Sequence, residues 1–501
     1  VALTEARGGV GELLCLADAL NAELESLNGR TERSGRGQFA TPSQAARTMA
    51  SLVEPAADDL RVVDPGAGAG ALMLALVAAA VEMGGLKRLS VDLVETDQQA
   101  LRLLKAAVEA AHLVAEAHGL RLETRIVDHD FCDSSSWARG RSFDAAILNP
   151  PYMKLGASDP CRGMVRRHHG VDCPNLYAAF LAVALALLRD GGRLVAITPR
   201  SFANGLYFTG FRRQLTEAAS FRRVILFDRR DRVFGSSSVL QETVIFSMLK
   251  TAPGAGDFVR VETWSDHLSG AHEVHDVPHD DVVSTNDPHR FINLPGRPDV
   301  MRAAERVAAL PADLQSLGLT VSTGPVVDFR CRDFLTAAHA EGSVPLIYPA
   351  NIKQAGVEWP LNVRKPQGFR VAPRTLRWLF PNGHYVLVKR FTAKEERRRV
   401  VACVHSPVDA YDLVAFENHV NVVHRDRGPL ERSEAEALAG FLNSELVDTY
   451  FRMFSGSTQV NATDLRRLRV PAVCDPLRSS LFDPPHSSAT DHRIRLEAPL
   501  P

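Results

Sequence analysis

The sequence predicts an α/β fold: a mostly parallel, Rossmann-like sheet followed by a second, mixed α/β domain. Three observations predict it. Between Arg61 and Lys250, short apolar runs alternate with longer helical stretches. Such alternation builds right-handed βαβ units around parallel strands. The first strand ends in a glycine turn, "DPGAGAG" at 64–70, and the fourth ends abruptly in "NPPY" at 149–152. Open parallel sheets bind ligands at the carboxyl ends of their strands, where both motifs fall.

The elements follow in order. "VGELLCLADALNAELESLN" sets Val10, Leu13, Leu14, Ala17, Leu20 and Leu24 at helical spacing, and Asn28-Gly29 ends that helix. "RTERSGRGQFATP" is polar and glycine-containing, hence a loop. "RVVD" is a buried strand and "ALMLALVAAAVEM" a helix. "LSVDLVE" is a strand and "QQALRLLKAAVEAAHLVAEAH" a long helix. "LRLETRIVD" and "FDAAILN" are the third and fourth strands. "NLYAAFLAVALALLRD" is a helix closed by Gly191-Gly192, and "RLVAITP" is a strand. "FRRVILFD" and "VLQETVIFSMLK" have no helix between them, which predicts an antiparallel edge. The polar, histidine-rich stretch after residue 250 reads as a solvated connection. Short strands and loops then lead to one helix at "EAEALAGFLNSELVDTYFRMF", and the C-terminal end has the composition of a disordered tail. The expected division is an N-terminal helix and loop over 1–36, an α/β domain over 37–250, a linker over 251–300, a second domain over 301–475 and a tail over 476–501.

Composition narrows the class. The 501 residues are 45% hydrophobic and 23% charged, ordinary for a globular protein. No uncharged apolar run reaches the roughly 18 residues of a membrane span, and no basic-then-apolar leader opens the sequence. A cytoplasmic protein is expected. The seven cysteines include no CxxC and read as reduced thiols. A net charge of -1 decides nothing about nucleic acid, because binding follows local patches.

The glycine turn suggests a nucleotide cofactor. Gly66, Gly68 and Gly70 let the backbone turn tightly and approach a ligand. The second strand ends at Glu95, about 25 residues on, where a carboxylate can accept both ribose hydroxyls. This fits NAD or S-adenosylmethionine. The GxGxG spacing and the preceding Asp-Pro favour the second. Asp128, Asp130 and Phe131 follow the third strand, where an adenine ring could meet a carboxylate and an aromatic face.

"NPPY" suggests the acceptor. An exocyclic amine conjugated to a ring is a poor nucleophile, because its lone pair is delocalised. Two acceptors aimed at its two N–H bonds free that lone pair. The Asn149 side-chain oxygen and the Pro150 carbonyl can supply both, provided the amide presents its oxygen. Pro150 and Pro151 rigidify the pair, and Tyr152 offers a ring for a planar substrate to stack on.

In this order, "GQFATPSQAARTMASLV", "DPGAGAG" and "NPPY", ahead of a long C-terminal region, resemble gamma-class DNA adenine-N6 methyltransferases of restriction–modification systems. The resemblance implies an S-adenosylmethionine-dependent methyltransferase fold with a C-terminal target-recognition domain. It implies that Thr41 and Pro42 hold the methionine end of the cofactor, Glu95 the ribose, and Asp130 with Phe131 the adenine. Asp64 opens the glycine loop within the family's variation, and Phe234 matches the aromatic opposite Tyr152 on a flipped base. "STGPVVDFRCRDFL", "RFTAKEERRRVVA" and "FSGSTQVNATDLRRLRVP" look like the BsuBI/PstI branch of type II modification enzymes, which implies a CTGCAG-like target. The implied partner is double-stranded DNA, bound by a monomer. The resemblance leaves room for a cognate restriction endonuclease acting separately.

Flipping a base costs a few kcal/mol, which phosphate contacts can offset. Arg374, Arg377, Lys389, Arg390, Lys394, Arg397, Arg398 and Arg399 face only Glu395 and Glu396 in charge, with Trp378, Phe380, Tyr385 and Phe391 interleaved. A solvated charged hairpin would look the same, but within a recognition domain the run is expected on DNA. Gln459 and Asn461 suit adenine edges, although they could equally cap the next helix. "CRGMVRRHHGVDC" has no zinc-finger spacing and is expected as a basic, DNA-facing loop carrying Arg162, Arg166 and Arg167; no metal is expected. Two competing classes are an N-methyltransferase acting on protein glutamine or ribosomal RNA guanine, and a catalytically silent DNA-binding protein. Shorter chains without "GQFATP" or a basic C-terminal domain typify the first, and intact NPPY, Glu95 and Phe234 argue against the second.

Overall fold

The computed structural model describes residues 9–27, 39–55, 57–203, 205–227, 243–254, 256–264, 271–283, 287–294, 298–353, 355–392, 398–454 and 459–472. The chain divides into two units, Val1–Pro298 and Asp299–Pro501.

In the first unit, α1 (Val10–Leu27) and α2 (Ser43–Ser51) precede the sheet. Then come β1 (Asp59–Pro65), α3 (Ala71–Met83), β2 (Arg88–Glu95), α4 (Gln98–Ala117), β3 (Arg121–Asp128), the short α5 (Ser134–Trp137) and β4 (Phe143–Leu148). They are followed by α6 (Pro160–His169), α7 (Leu176–Leu187), β5 (Leu188–Pro199), α8 (Thr209–Ala218), β6 (Ser220–Phe227), β7 (Thr243–Leu249), β8 (Phe258–Trp264) and β9 (Ala271–Pro278). The strands form one sheet in the order β3-β2-β1-β4-β5-β7-β6-β8-β9. Its β1 to β5 half is parallel throughout. The order reverses between β1 and β4, which opens the ligand crevice of a doubly wound sheet there.

Two expectations are corrected. The antiparallel pair β6–β7 is internal, because β7 inserts between β5 and β6. The expected linker over 251–300 carries β8 and β9, which extend the sheet beyond β6. Val259, Val261 and Val277 are fully buried there, next to the exposed Arg260 and Asp276. These polar neighbours hid the buried valines in the sequence.

Two helices lie deep in this unit. α3 buries every residue from Ala71 to Ala78 and packs against α1 and α2. α7 buries every residue from Tyr177 to Leu185. Apolar side chains all round a helix mark burial on all sides.

The second unit contains an antiparallel sheet in the order 320–323, 420–424, 385–389, 402–405, and a five-stranded mixed sheet in the order 335–336, 368–370, 343–347, 413–416, 379–381. The single helix expected near residue 440 is two, Arg432–Leu442 and Glu445–Phe454. Asn443 breaks it. Its side chain accepts from the Ala402 amide at 3.1 Å and donates to the Ala402 carbonyl at 2.8 Å, so the amide pairs with a strand as a backbone group would.

Candidate active site

A cavity of about 430 Å³ lies along the carboxyl edge of β1, β2 and β4. Its wall takes Gly66 and Gly68 from the glycine turn, Glu95 and Asp97 after β2, Asp130 and Phe131 after β3, and Asn149 and Pro151 after β4. Phe39 and Thr41 close one side. Motifs scattered over more than 100 residues thus meet in one space of ligand size.

The turn is built for close approach. Gly66, Gly68 and Gly70 all take positive φ, 71°, 56° and 92°. A Cβ on Gly68 would meet nothing within 4 Å, so its missing side chain leaves open space at the cavity wall. Gly70 differs. It does not line the cavity, and a Cβ there would fall 2.9 Å from Ala107 Cβ and Leu104 Cδ1. Its role is to let α3 start against α4.

Glu95 holds the turn. One carboxylate oxygen accepts from Gly68 N, and the other from the amides of Thr96 and Asp97, all at 2.8 Å. Three of its roughly four lone-pair sites are therefore used. Asp64 is entirely buried, and neither carboxylate oxygen has a hydrogen-bond partner. Burial, then the nearby Glu95 charge, raises its pKa well above the usual carboxylate range. Phe131 is buried against Phe180 and Trp137, while Asp130 is exposed and accepts from Cys132 N at 2.8 Å.

The amide of Asn149 is oriented. Its Nδ2 donates to the Phe39 carbonyl at 2.9 Å and to Thr41 Oγ1 at 3.0 Å. A carbonyl oxygen only accepts, so the NH₂ must face Phe39 and the oxygen must face away from it. The Tyr152 hydroxyl lies 3.1 Å from that oxygen and 3.3 Å from the Ile197 carbonyl, and can donate to either. Burial raises the Tyr152 pKa, which keeps its proton in place. Its ring packs against Phe39, centroids 5.4 Å apart, and edge-on to Tyr177 at 6.3 Å. Pro150 is buried and Pro151 faces the cavity. Phe234, expected as the second stacking ring, lies outside the described residues.

Sequence similarity to known proteins extends over most of the chain. Residues 91–234 match the Eco57I restriction-modification methylase family. The type II methyltransferase M.PstI of Providencia stuartii is 36% identical over 467 residues, covering 91% of each chain. The type II methyltransferase M.BsuBI of Bacillus subtilis is 35% identical over 459 residues, covering 88% of each. The chain belongs to this type II methyltransferase family. A DrdV–DNA complex matches 95% of this methyltransferase with a TM-score of 0.52 at 12% identity, over 59% of that longer chain.

Other expected residues of the methyltransferase are distributed less simply. Thr41 lines the cavity, whereas Pro42 sits outside it as the N-cap of α2. The expected basic loop at 161–173 is largely a helix, α6, capped by Asp159, whose side chain accepts from Cys161 N. Arg162 is tied to Asp172 at 2.6 Å, while Arg166 and Arg167 are exposed on its last turn. Cys161 donates to Cys132 Sγ at 2.7 Å, and burial pushes the Cys173 thiol up to about 12. Among the described residues, no group of three or more side chains could hold a metal ion.

In the second unit, Arg374 and Arg377 are exposed, over the rings of Phe334 and Trp378. Lys389 and Arg390 are half-buried, and Arg390 reaches Gln459 Oε1 at 3.5 Å. Lys394 and Arg397 lie outside the described residues. Arg399 does not fit a DNA-facing run: it is 1% exposed and donates to the Thr392 carbonyl at 2.7 Å. Phe380 and Tyr385 are likewise core residues. Asn461 takes the alternative role of a cap, bonding Asp464 Oδ2 through its backbone and side-chain nitrogens at 3.0 and 3.1 Å.

Some cavity residues were not anticipated from sequence: Asn21, Phe39, Asp97, Asp159 and Phe180. Asn21 left one signal. It is an amide set four residues after Ala17 and three before Leu24, within the apolar stripe of α1.

Proposed function

We propose that this methyltransferase transfers a methyl group from S-adenosylmethionine to N6 of an adenine flipped out of duplex DNA, as the modification enzyme of a restriction–modification system. One observation carries the proposal: both hydrogens of the Asn149 amide are tied back, so its oxygen is available as an acceptor. That oxygen and the Pro150 carbonyl accept the two N–H bonds of the target amine and localise its lone pair. They are fixed before substrate arrives, which is the condition under which dipoles stabilise a transition state most.

The cofactor fits the residues present. It supplies an electrophilic methyl group on a positively charged sulfur. Asp64, buried and without a partner, would neutralise positive charge at the glycine turn. Glu95 would take a ribose hydroxyl, and Asp130 with Phe131 the adenine. Tyr152 and Phe234 would hold the flipped base between two rings. Arg166, Arg167, Arg374, Arg377, Lys389, Arg390 and Lys394 would contact DNA, with Gln459 at a base edge.

The test uses duplex DNA and cofactor labelled in the methyl group, with digestion to nucleosides. Label should appear in N6-methyladenine, in a CTGCAG-like context. Label found only in cytosine, RNA or protein sinks the proposal. Asn149→Ala should lower kcat by roughly 10²–10³-fold or more, as loss of a preorganised polar group does.

A further inference from the structure

The N-terminal helix α1 carries polar side chains directed at the active-site segment. Asn21 is 8% exposed, on the side of α1 that buries Leu13, Ala17 and Leu20. A buried amide without a partner is costly, so its bond is informative. Its Nδ2 donates to the Thr41 carbonyl at 2.8 Å. Asp18, three residues earlier and on the same face, accepts from Ser43 N at 2.9 Å and from Ser43 Oγ at 2.6 Å. Ser43 begins α2, whose own N-cap, Pro42, offers no capping side chain. Asp18 therefore caps α2 from a different helix.

These two anchors hold the chain at Thr41 and Ser43, at and just beyond the groups that orient Asn149. The Phe39 carbonyl and Thr41 Oγ1 receive its two N–H bonds. We propose that Asp18 and Asn21 are positioning residues: α1 fixes the 39–43 segment at the distance that keeps the Asn149 oxygen turned toward the substrate. The physical basis is the near-symmetry of a carboxamide. Rotated by 180°, it has almost the same shape, and only its partners distinguish the two orientations. In the flipped state Oδ1 would oppose the Phe39 carbonyl, and the NH₂ would meet the Tyr152 hydroxyl. The target amine would then face donors where it needs acceptors. If the segment moves out of hydrogen-bonding reach, the penalty on that state disappears. This inference rests on the proposal that Asn149 accepts from the target amine.

The test is Asn21→Leu, which keeps the number and branching of the side-chain heavy atoms and removes the donor. Asn21 also lines the cavity, so the rate is read at saturating cofactor and DNA: single-turnover methyl transfer should still fall about tenfold there, beyond any change in cofactor Kd. An unchanged rate overturns the proposal. So does a loss confined to cofactor Kd, which would make Asn21 a cofactor contact. A second readout needs no DNA. With asparagine side chains labelled with 15N, the Asn149 cross-peaks, assigned by their loss in Asn149→Ala, should show slow hydrogen exchange in the parent and fast exchange in Asn21→Leu. Equal protection in both overturns the proposal. If the parent methylates no DNA, the proposed activity fails while this second readout still decides the role of α1. Should Asn21→Leu not fold, Ser43→Ala removes one Asp18 bond and is expected to move both readouts the same way; no movement in either overturns the proposal.

Discussion

Asp64 is the residue with the clearest electrostatic consequence. Its carboxyl group is buried without a partner, and its pKa is raised by burial first and by Glu95 second. An acid with a raised folded-state pKa binds its proton more tightly when folded than when unfolded. Its contribution to stability is therefore greatest below the unfolded value, about 3.9, and falls as pH rises through the folded one. Asp64→Asn removes this penalty without changing shape. In the absence of cofactor, the variant should melt above the parent at pH 7, and the gap should close towards pH 4. S-adenosylmethionine should raise the parent's Tm more than the variant's. Thermal scans of both proteins at two pH values, with and without cofactor, check this. A variant that melts below the parent at pH 7 would contradict the assignment. The sequence announced Asp64, Glu95 and Asn149 because each ends a strand beside a motif with few alternatives. It did not announce Asn21 or Phe39 as orienting groups, because a helix-face amide and a backbone carbonyl carry no motif.

At the level of elements, the glycine turn divides into two functions. Gly70→Ala forces a Cβ to within 2.9 Å of α4 side chains at a φ of 92°, and overpacking alone costs roughly 1–3 kcal/mol. It should lower Tm, with cofactor affinity retained in the folded fraction. Gly68→Ala has space around it but projects a methyl at the cavity wall. It should weaken cofactor binding with a smaller loss of Tm. Calorimetry of the two variants, paired with cofactor titration, separates them; matching losses in both measurements would refute the division. The alternation of strand and helix up to β5 was legible because each period matched one element. From β6 onward it was less so. Strand order is set by pairing, not by chain position, and nothing local in "VLQETVIF" says that β7 enters between β5 and β6. The stretch that forms β9 resembled a loop because, among its described side chains, only Val277 is buried, while Val274 is exposed and Glu273 and His275 are half-buried.

For the whole molecule, a net charge of -1 coexists with an exposed pair, Arg374 and Arg377, in the second unit. If both contact phosphates, Arg374→Ala with Arg377→Ala should reduce the slope of log K against log salt for duplex DNA by about 1.8, at 0.9 per contact. Binding isotherms between low and moderate salt measure it. An unchanged slope would place both side chains off the DNA. The second unit was the least legible part of the sequence, because its strands are mostly two to five residues long and pair across distant segments. Its basic run was visible, but sequence could not show that Arg399, Phe380 and Tyr385 point inward.

The way Glu95 is used has one more consequence. Its contacts to Gly68, Thr96 and Asp97 leave it room to grip a single sugar hydroxyl. Deoxy analogues of the cofactor should then behave unequally. The analogue missing the gripped hydroxyl should bind about tenfold or more weakly, and the one missing its neighbour should bind nearly as well as the parent compound. Competitive titration with the 2′-deoxy and 3′-deoxy forms would show which hydroxyl this enzyme senses, and equal loss for both would mean that a group other than Glu95 shares the ribose.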